Sequence, residues 1–228
     1  MEARTGEERS IARVGGSAAI LIGVFSILGG LTYLFLPADQ RLGVEGARLL
    51  PSFDRDPTLL QLLFWQLTLI ALLGIAVVPA LSLRVRAANA GGILWTAVLA
   101  VLGFAFTGAG HLLSLSRLPK VAEGFVNGDP STQAALLPIW RSSLDPQALW
   151  GYGAVGLWIL VASVLALRAR ALPQALAGVG IVVAVLHWLI PVGLAVENQG
   201  VLGTVIALFA VGSVVWYLWL GSHLRRTV

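Results

Sequence analysis

The chain has no cysteine and only one lysine. The first absence excludes disulfides, thiolate metal centres and cysteine nucleophiles, and it leaves the redox compartment unreadable. The second excludes opsin chemistry, because a retinal Schiff base needs a lysine inside a span and Lys120 lies in a polar segment between apolar runs. Charge is scarce too: 11% of residues are charged, against about a quarter in a soluble domain. Its distribution is more telling, since six stretches, 15–37, 59–82, 92–115, 149–167, 175–195 and 200–221, contain no Asp, Glu, Lys or Arg. A carboxylate or lysine within them would mark a proton or ion path, because such groups are costly in lipid and are usually retained for function. Phosphate loops, dinucleotide fingerprints, zinc motifs and serine elbows are missing as well. The chain reads as non-enzymatic, with no catalytic residue and no metal site to assign.

What is present is apolar length. Each stretch has about 20 residues, the number an α-helix needs at about 1.5 Å per residue to cross a hydrocarbon core about 30 Å thick. A mean hydropathy of +0.87 agrees. The fold class expected is an all-α polytopic membrane protein, a bundle of six transmembrane helices forming one domain over residues 1–228. The gaps are too short for a separate soluble domain. A first apolar run of this length, behind a glutamate-containing leader and without an A-x-A-like cleavage site, reads as a retained helix rather than a secretory signal.

An even number of spans puts both termini on one side, so the connecting segments sort into two sets. On the terminal side nine arginines (4, 9, 13, 84, 86, 168, 170, 225 and 226) oppose Glu2, Glu7 and Glu8, a net charge of +6. On the other side six basic residues oppose eight acidic ones, including Asp145 and Glu197, a net of −2. Lys and Arg are retained in the cytoplasm, so both termini are expected there. Basic residues scattered beside spans also account for the pI near 10.3 without nucleic acid. Trp65 and Trp150 near one set of helix ends, and Trp95, Trp216, Tyr217 and Trp219 near the other, read as the two interfacial belts.

Two connections on the acidic side are long, 38–58 and 116–148, and read as outer loops or as a cap lying over the bundle. Asp56-Pro57-Thr58 and Asp145-Pro146-Gln147 are helix-start signals. Pro79 and Pro191 are expected to kink or end their helices. Glycines at 29, 30, 103, 108, 110, 153, 156, 178, 180, 203 and 212 are assigned to close helix packing, a main source of association in lipid. No three-plus-three inverted repeat is evident: Gly23 to Pro37 and Gly178 to Pro191 share an apolar-Pro ending, but they are spans one and five.

Candidate chemistry rests on few residues. His111 and His187 are candidate cofactor ligands for haem iron or a chlorophyll-type magnesium. Measured from the terminal-side helix ends, they lie about 28 Å and about 18 Å deep, a mismatch that disfavours a bis-histidine haem. Trp158 and Trp188, away from the belts, are candidate walls of a ligand pocket, with Ser163 or backbone as partner for the buried Trp158 indole. Gln61, Gln66, Thr68, Thr107 and Ser114 are candidate polar positions on inward faces.

The stretches Ile11-Ala12-Arg13-Val14-Gly15, Leu113-Ser114-Leu115-Ser116-Arg117, and Ala171-Leu172-Pro173 followed by Ala177-Gly178-Val179-Gly180 resemble a family of six-span bacterial integral membrane proteins known only as a domain of unknown function. The resemblance implies a six-helix bundle and transfers no functional residue. The outer segment departs from the family's pattern in ending on Asp145-Pro146-Gln147-Ala148. Arginine in excess of lysine, with abundant Ala, Gly and Leu, points to a GC-rich bacterial genome. The leading expectation is therefore an accessory or structural subunit of the bacterial cytoplasmic membrane, or a binder of a small apolar ligand. Its partners would be the lipid bilayer and another membrane protein or a second copy of the chain. The rivals are a haem- or pigment-binding subunit for electron or energy transfer, and a carrier for a neutral or lipophilic solute.

Overall fold

A computed structural model describes residues 6–141, 143–196 and 198–226. Glu2, Arg4 and Glu197, which enter the charge comparison, lie outside them. The described residues are helical, with no strand among them: α1 (Gly6–Phe35), a 3-10 turn (Ala38–Gln40), α2 (Gly46–Arg55), α3 (Thr58–Val85), α4 (Ala90–Asn127), α5 (Pro130–Arg141), a π-helical segment (Leu149–Ala154) running into α6 (Val155–Ala169), α7 (Gln174–Ala195) and α8 (Gln199–Arg226). Six of these helices, counting Leu149–Ala169 as one, are long and apolar enough to cross a membrane. The chain is a multi-pass membrane protein.

The six long helices form a ring in chain order: α1 packs on α3, α3 on α4, α4 on α6, α6 on α7, α7 on α8, and α8 returns to α1. Small residues set the seams. Gly15 faces Ala80 between α1 and α3, and a methyl on Gly221 of α8 would fall 2.5 Å from the Gly16 carbonyl oxygen of α1. Gly156 of α6 lies so close to α7 that a methyl there would stand 2.7 Å from His187 Cβ. Such approaches give van der Waals contact that lipid chains cannot match. Of the glycines expected to pack, Gly103, Gly156 and Gly180 do, whereas Gly30, Gly110, Gly178 and Gly203 face open space.

The largest core lies in the half of the bundle that carries the termini. Ala19 and Ile22 of α1, Val77 and Leu81 of α3, Trp158 and Ile159 of α6, and Trp216 and Leu220 of α8 are all at most 1% exposed there. The partner of the Trp158 indole is Ser82, whose Oγ accepts from Nε1 at 3.1 Å, not Ser163 or backbone. Trp65, Trp95, Trp150 and Trp219 are exposed as belt residues should be, but Trp216 and Tyr217 are buried. Their positions near a helix end resemble a belt; the face they occupy points inward, beside Gly180, where a methyl would stand 2.8 Å from Trp216 Nε1.

At the opposite end the chain builds a cap. The expected loop 116–148 is largely helical: α4 runs through Ser116-Arg117 and Pro119 to Asn127, since Leu118, Val121, Ala122 and Phe125 continue its apolar stripe and bury against Leu49, Leu50 and Phe53 of α2. Polar side chains finish the helices. Gln40 Nε2 donates to the carbonyls of Ser52 (3.0 Å) and Asp56 (2.9 Å) at the end of α2. Arg41 donates to the Leu34 and Leu36 carbonyls at the end of α1, and Asp129 Oδ1 accepts from the Thr132 amide at 2.7 Å to start α5. At the arginine-rich end, Arg86 pairs with Glu8 at 2.9 Å and Arg84 donates to the Ala171 carbonyl.

Candidate functional site

Between the close-packed half and the cap lies a cavity of about 760 Å³. Its wall is one stripe of α4, Thr107, His111 and Ser114, at the spacing that places residues on a single helical face. Phe64 of α3 stacks on the His111 ring, centroids 5.8 Å apart and planes 26° from parallel. Leu194 of α7 and Leu202 of α8 supply apolar surface, and Arg117 and Trp140 stand further towards the cap.

The facing wall is the start of the sixth long helix. Ala148 takes a left-handed conformation, φ 54°, unusual for a residue with a Cβ. The helix then begins with a π turn, in which the Gly153 amide reaches back to the Ala148 carbonyl. Asp145 Oδ2 accepts from the Gly151 amide at 2.7 Å and fixes this turn from outside. Gly151 lets the turn approach α4, for a methyl there would stand 2.6 Å from Thr107 Oγ1. Asp145, Gly151 and Thr107 thus meet at one corner of the cavity, which Tyr152 also lines. π turns of this kind recur at functional sites.

The four residues singled out from the sequence do not gather here. His111 lines the cavity, whereas His187, Trp158 and Trp188 do not. His187 is 4% exposed, holds the Val183 carbonyl through Nδ1 at 2.8 Å, and meets Phe209 edge-on at 4.6 Å, with Tyr152 at 6.0 Å. Tyr152 thus stands beside His187 while itself lining the cavity; His111 opens into that cavity and His187 does not, so the two imidazoles do not face one common space. These residues do not fit a bis-histidine haem. Trp158 is core, fully buried, and Trp188 lies 39% exposed on the outside of α7. Gln66 and Thr68 are buried outside the cavity, Thr68 donating to the Phe64 carbonyl. Among the described residues no group of three His, Asp or Glu side chains could hold a metal ion.

Residues 12–222 match the family described as "Domain of unknown function (DUF4386)". The chain belongs to the DUF4386 family. No curated protein and no solved structure matches it. The match extends from the first turns of α1 to the last turns of α8, so it takes in the whole ring, the cap and the cavity of this DUF4386 protein. Sequence reasoning named Thr107 and Ser114 as polar positions and Asp145 as a helix-start signal, but it did not join them into a site. The signal available was the 107–111–114 spacing; the convergence of Asp145 and Gly151 on it is set by the π turn, which no local pattern marks.

Proposed function

We propose that this DUF4386 protein is a non-enzymatic binding protein of a bacterial cytoplasmic membrane, which holds a small amphipathic molecule in the cavity beneath its cap. The single observation that carries the reading is the cavity itself, a space of about 760 Å³ with an apolar side at Phe64, Leu194 and Leu202 and a polar stripe on α4. Sites for small molecules have this make-up: mostly apolar walls with a few placed polar groups. The excess of arginine at the opposite end supports a cytoplasmic position for both termini, which puts the cap and cavity on the outer side.

The cysteine-free chain makes the test clean. Ser114→Cys, the sole thiol, should react with a membrane-impermeant maleimide added to intact cells, and a bound amphiphile should slow that reaction. Ser163→Cys, 1% exposed in the packed half, should stay unlabelled. Labelling of position 114 only after permeabilisation would reverse the orientation, and no labelling at all would remove the open cavity.

A carrier for the same class of molecule is the second reading, favoured by the contrast between an open capped half and a close-packed terminal half. It requires the seams at Gly16–Gly221 and Gly15–Ala80 to part. A cross-link introduced between α1 and α3 to hold their seam shut should abolish uptake while leaving the outer site able to bind.

A further inference from the structure

The polar groups at the cavity corner differ in what they have left to offer. Thr107 Oγ1 donates its proton to the Gly103 carbonyl at 3.0 Å, and Ser114 Oγ donates to the Gly110 carbonyl at 3.0 Å. With those protons committed to their own helix, both hydroxyls present only lone pairs to the cavity. Asp145 accepts the Gly151 amide through Oδ2 and leaves Oδ1 without a partner among the described residues. An ionised carboxylate is likewise an acceptor only. His111, Arg117, Trp140 and Tyr152 bring donors to the cavity wall, whereas the corner between Asp145 and Thr107 presents oxygen acceptors. Gly151 keeps it open, since a methyl at that position would lie 2.6 Å from Thr107 Oγ1 and 3.5 Å from Asp145 Oδ2.

We infer that the polar end of the ligand is a hydrogen-bond donor, a primary ammonium group, seated between the carboxylate of Asp145 and the hydroxyl oxygen of Thr107, with its hydrocarbon part against Phe64, Leu194 and Leu202. An ammonium brings three donors and a positive charge to a site that supplies acceptors and a negative charge. Arg117, the cation of the cavity wall, is ten residues along α4 from Thr107, about 15 Å away by helical rise, and so lies nearer the cap than the corner. A carboxylate head seated at this corner would meet the Asp145 carboxylate and the Thr107 oxygen, which has no proton to give, and like charge in a half-buried space repels it. This inference rests on the reading of the cavity as a binding site.

The test uses the full chain in phosphatidylcholine nanodiscs, whose neutral surface does not favour either charge. Three photoactivatable alkyl diazirines of equal length, ending in an amine, an alcohol or a carboxylate, are cross-linked and the labelled peptides mapped. The amine probe should label α4 and residues 143–154 about tenfold more than the carboxylate probe, and unlabelled dodecylamine should compete it away. Asp145→Asn keeps an oxygen for the Gly151 amide but loses the charge, and should lower amine labelling about tenfold while alcohol labelling is unchanged. Thr107→Val should act in the same direction and serves if Asp145→Asn fails to fold. Equal or stronger labelling by the carboxylate probe, or amine labelling indifferent to both variants, would overturn the ammonium inference and leave the binding site standing. Failure of all three probes to mark the cavity would overturn both.

Discussion

Ser82→Ala tests whether Trp158 belongs to the core or to a ligand pocket. The substitution removes a hydroxyl and leaves the indole N–H of a fully buried tryptophan without its acceptor at 3.1 Å. Hydrogen bonds between transmembrane helices are worth about 0.6 kcal/mol on average and at most about 1.7. An abandoned buried donor costs about 1–3 kcal/mol. The overlap gives an expected loss of about 1–2 kcal/mol, read as the shift in unfolding free energy during titration of mixed micelles with denaturing detergent. Trp158→Phe removes the donor instead, together with part of a ring whose surroundings cannot fully collapse. With both changes made, the hydrogen-bond loss is counted once, so the double variant should be less unstable than the sum of the singles by about 1 kcal/mol. Amphiphile labelling of the cavity should be the same in all three proteins. Additive losses would refute the hydrogen bond, and altered labelling would refute the separation between core and cavity.

Other perturbations follow from the same structure. Arg170 ends α6 in the left-handed conformation at φ 50°, so Arg170→Gly should raise stability by about 0.5–1 kcal/mol in the same detergent titration. Gly221→Ala forces a methyl to within 2.5 Å of the Gly16 carbonyl and should cost about 1–3 kcal/mol, whereas Gly203→Ala, facing open space, should cost nothing measurable. Asp129 is held below the ordinary carboxylate range, chiefly by the Thr132 amide and then by the Ser131 hydroxyl. Because its folded value is depressed, its contribution is present above the unfolded pKa and is lost as pH falls through the folded one. Acidification below about pH 4 should therefore lower the protection factor of the Thr132 amide, measured against its intrinsic exchange rate at each pH, and Asp129→Ala should lower it already at neutral pH.

The spans were legible because lipid imposes a severe rule: a charge-free run of about 20 residues has little alternative to a helix. The cap was less legible. Pro119, Lys120 and Glu123 mark residues 116–127 as polar, yet Leu118, Val121, Ala122 and Phe125 carry a helical stripe through them, and the stripe prevails because α2 is there to bury it. Trp216 shows the opposite ambiguity, since its place along α8 looked interfacial while its face decided for the core. The cavity was the least legible part. His111 stood out as an ionisable residue in a span, and Thr107 and Ser114 share its face. Asp145, by contrast, read as an ordinary helix start, and only the π turn at Leu149–Ala154 brings it to the same corner. Side chains assembled by an irregular turn leave no periodic trace.

The ring closes in chain order, so five of its six seams join helices that are neighbours in sequence, and only the seam between α1 and α8 joins distant ones. Five seams can therefore form as each hairpin leaves the insertion machinery, at small cost in loop closure. The sixth must wait for the last helix, and until then the Gly16 face of α1 lies open to lipid. Quality control that senses an unpaired glycine face in the bilayer would find this protein vulnerable over that interval, and a truncation removing α8 would leave it so permanently.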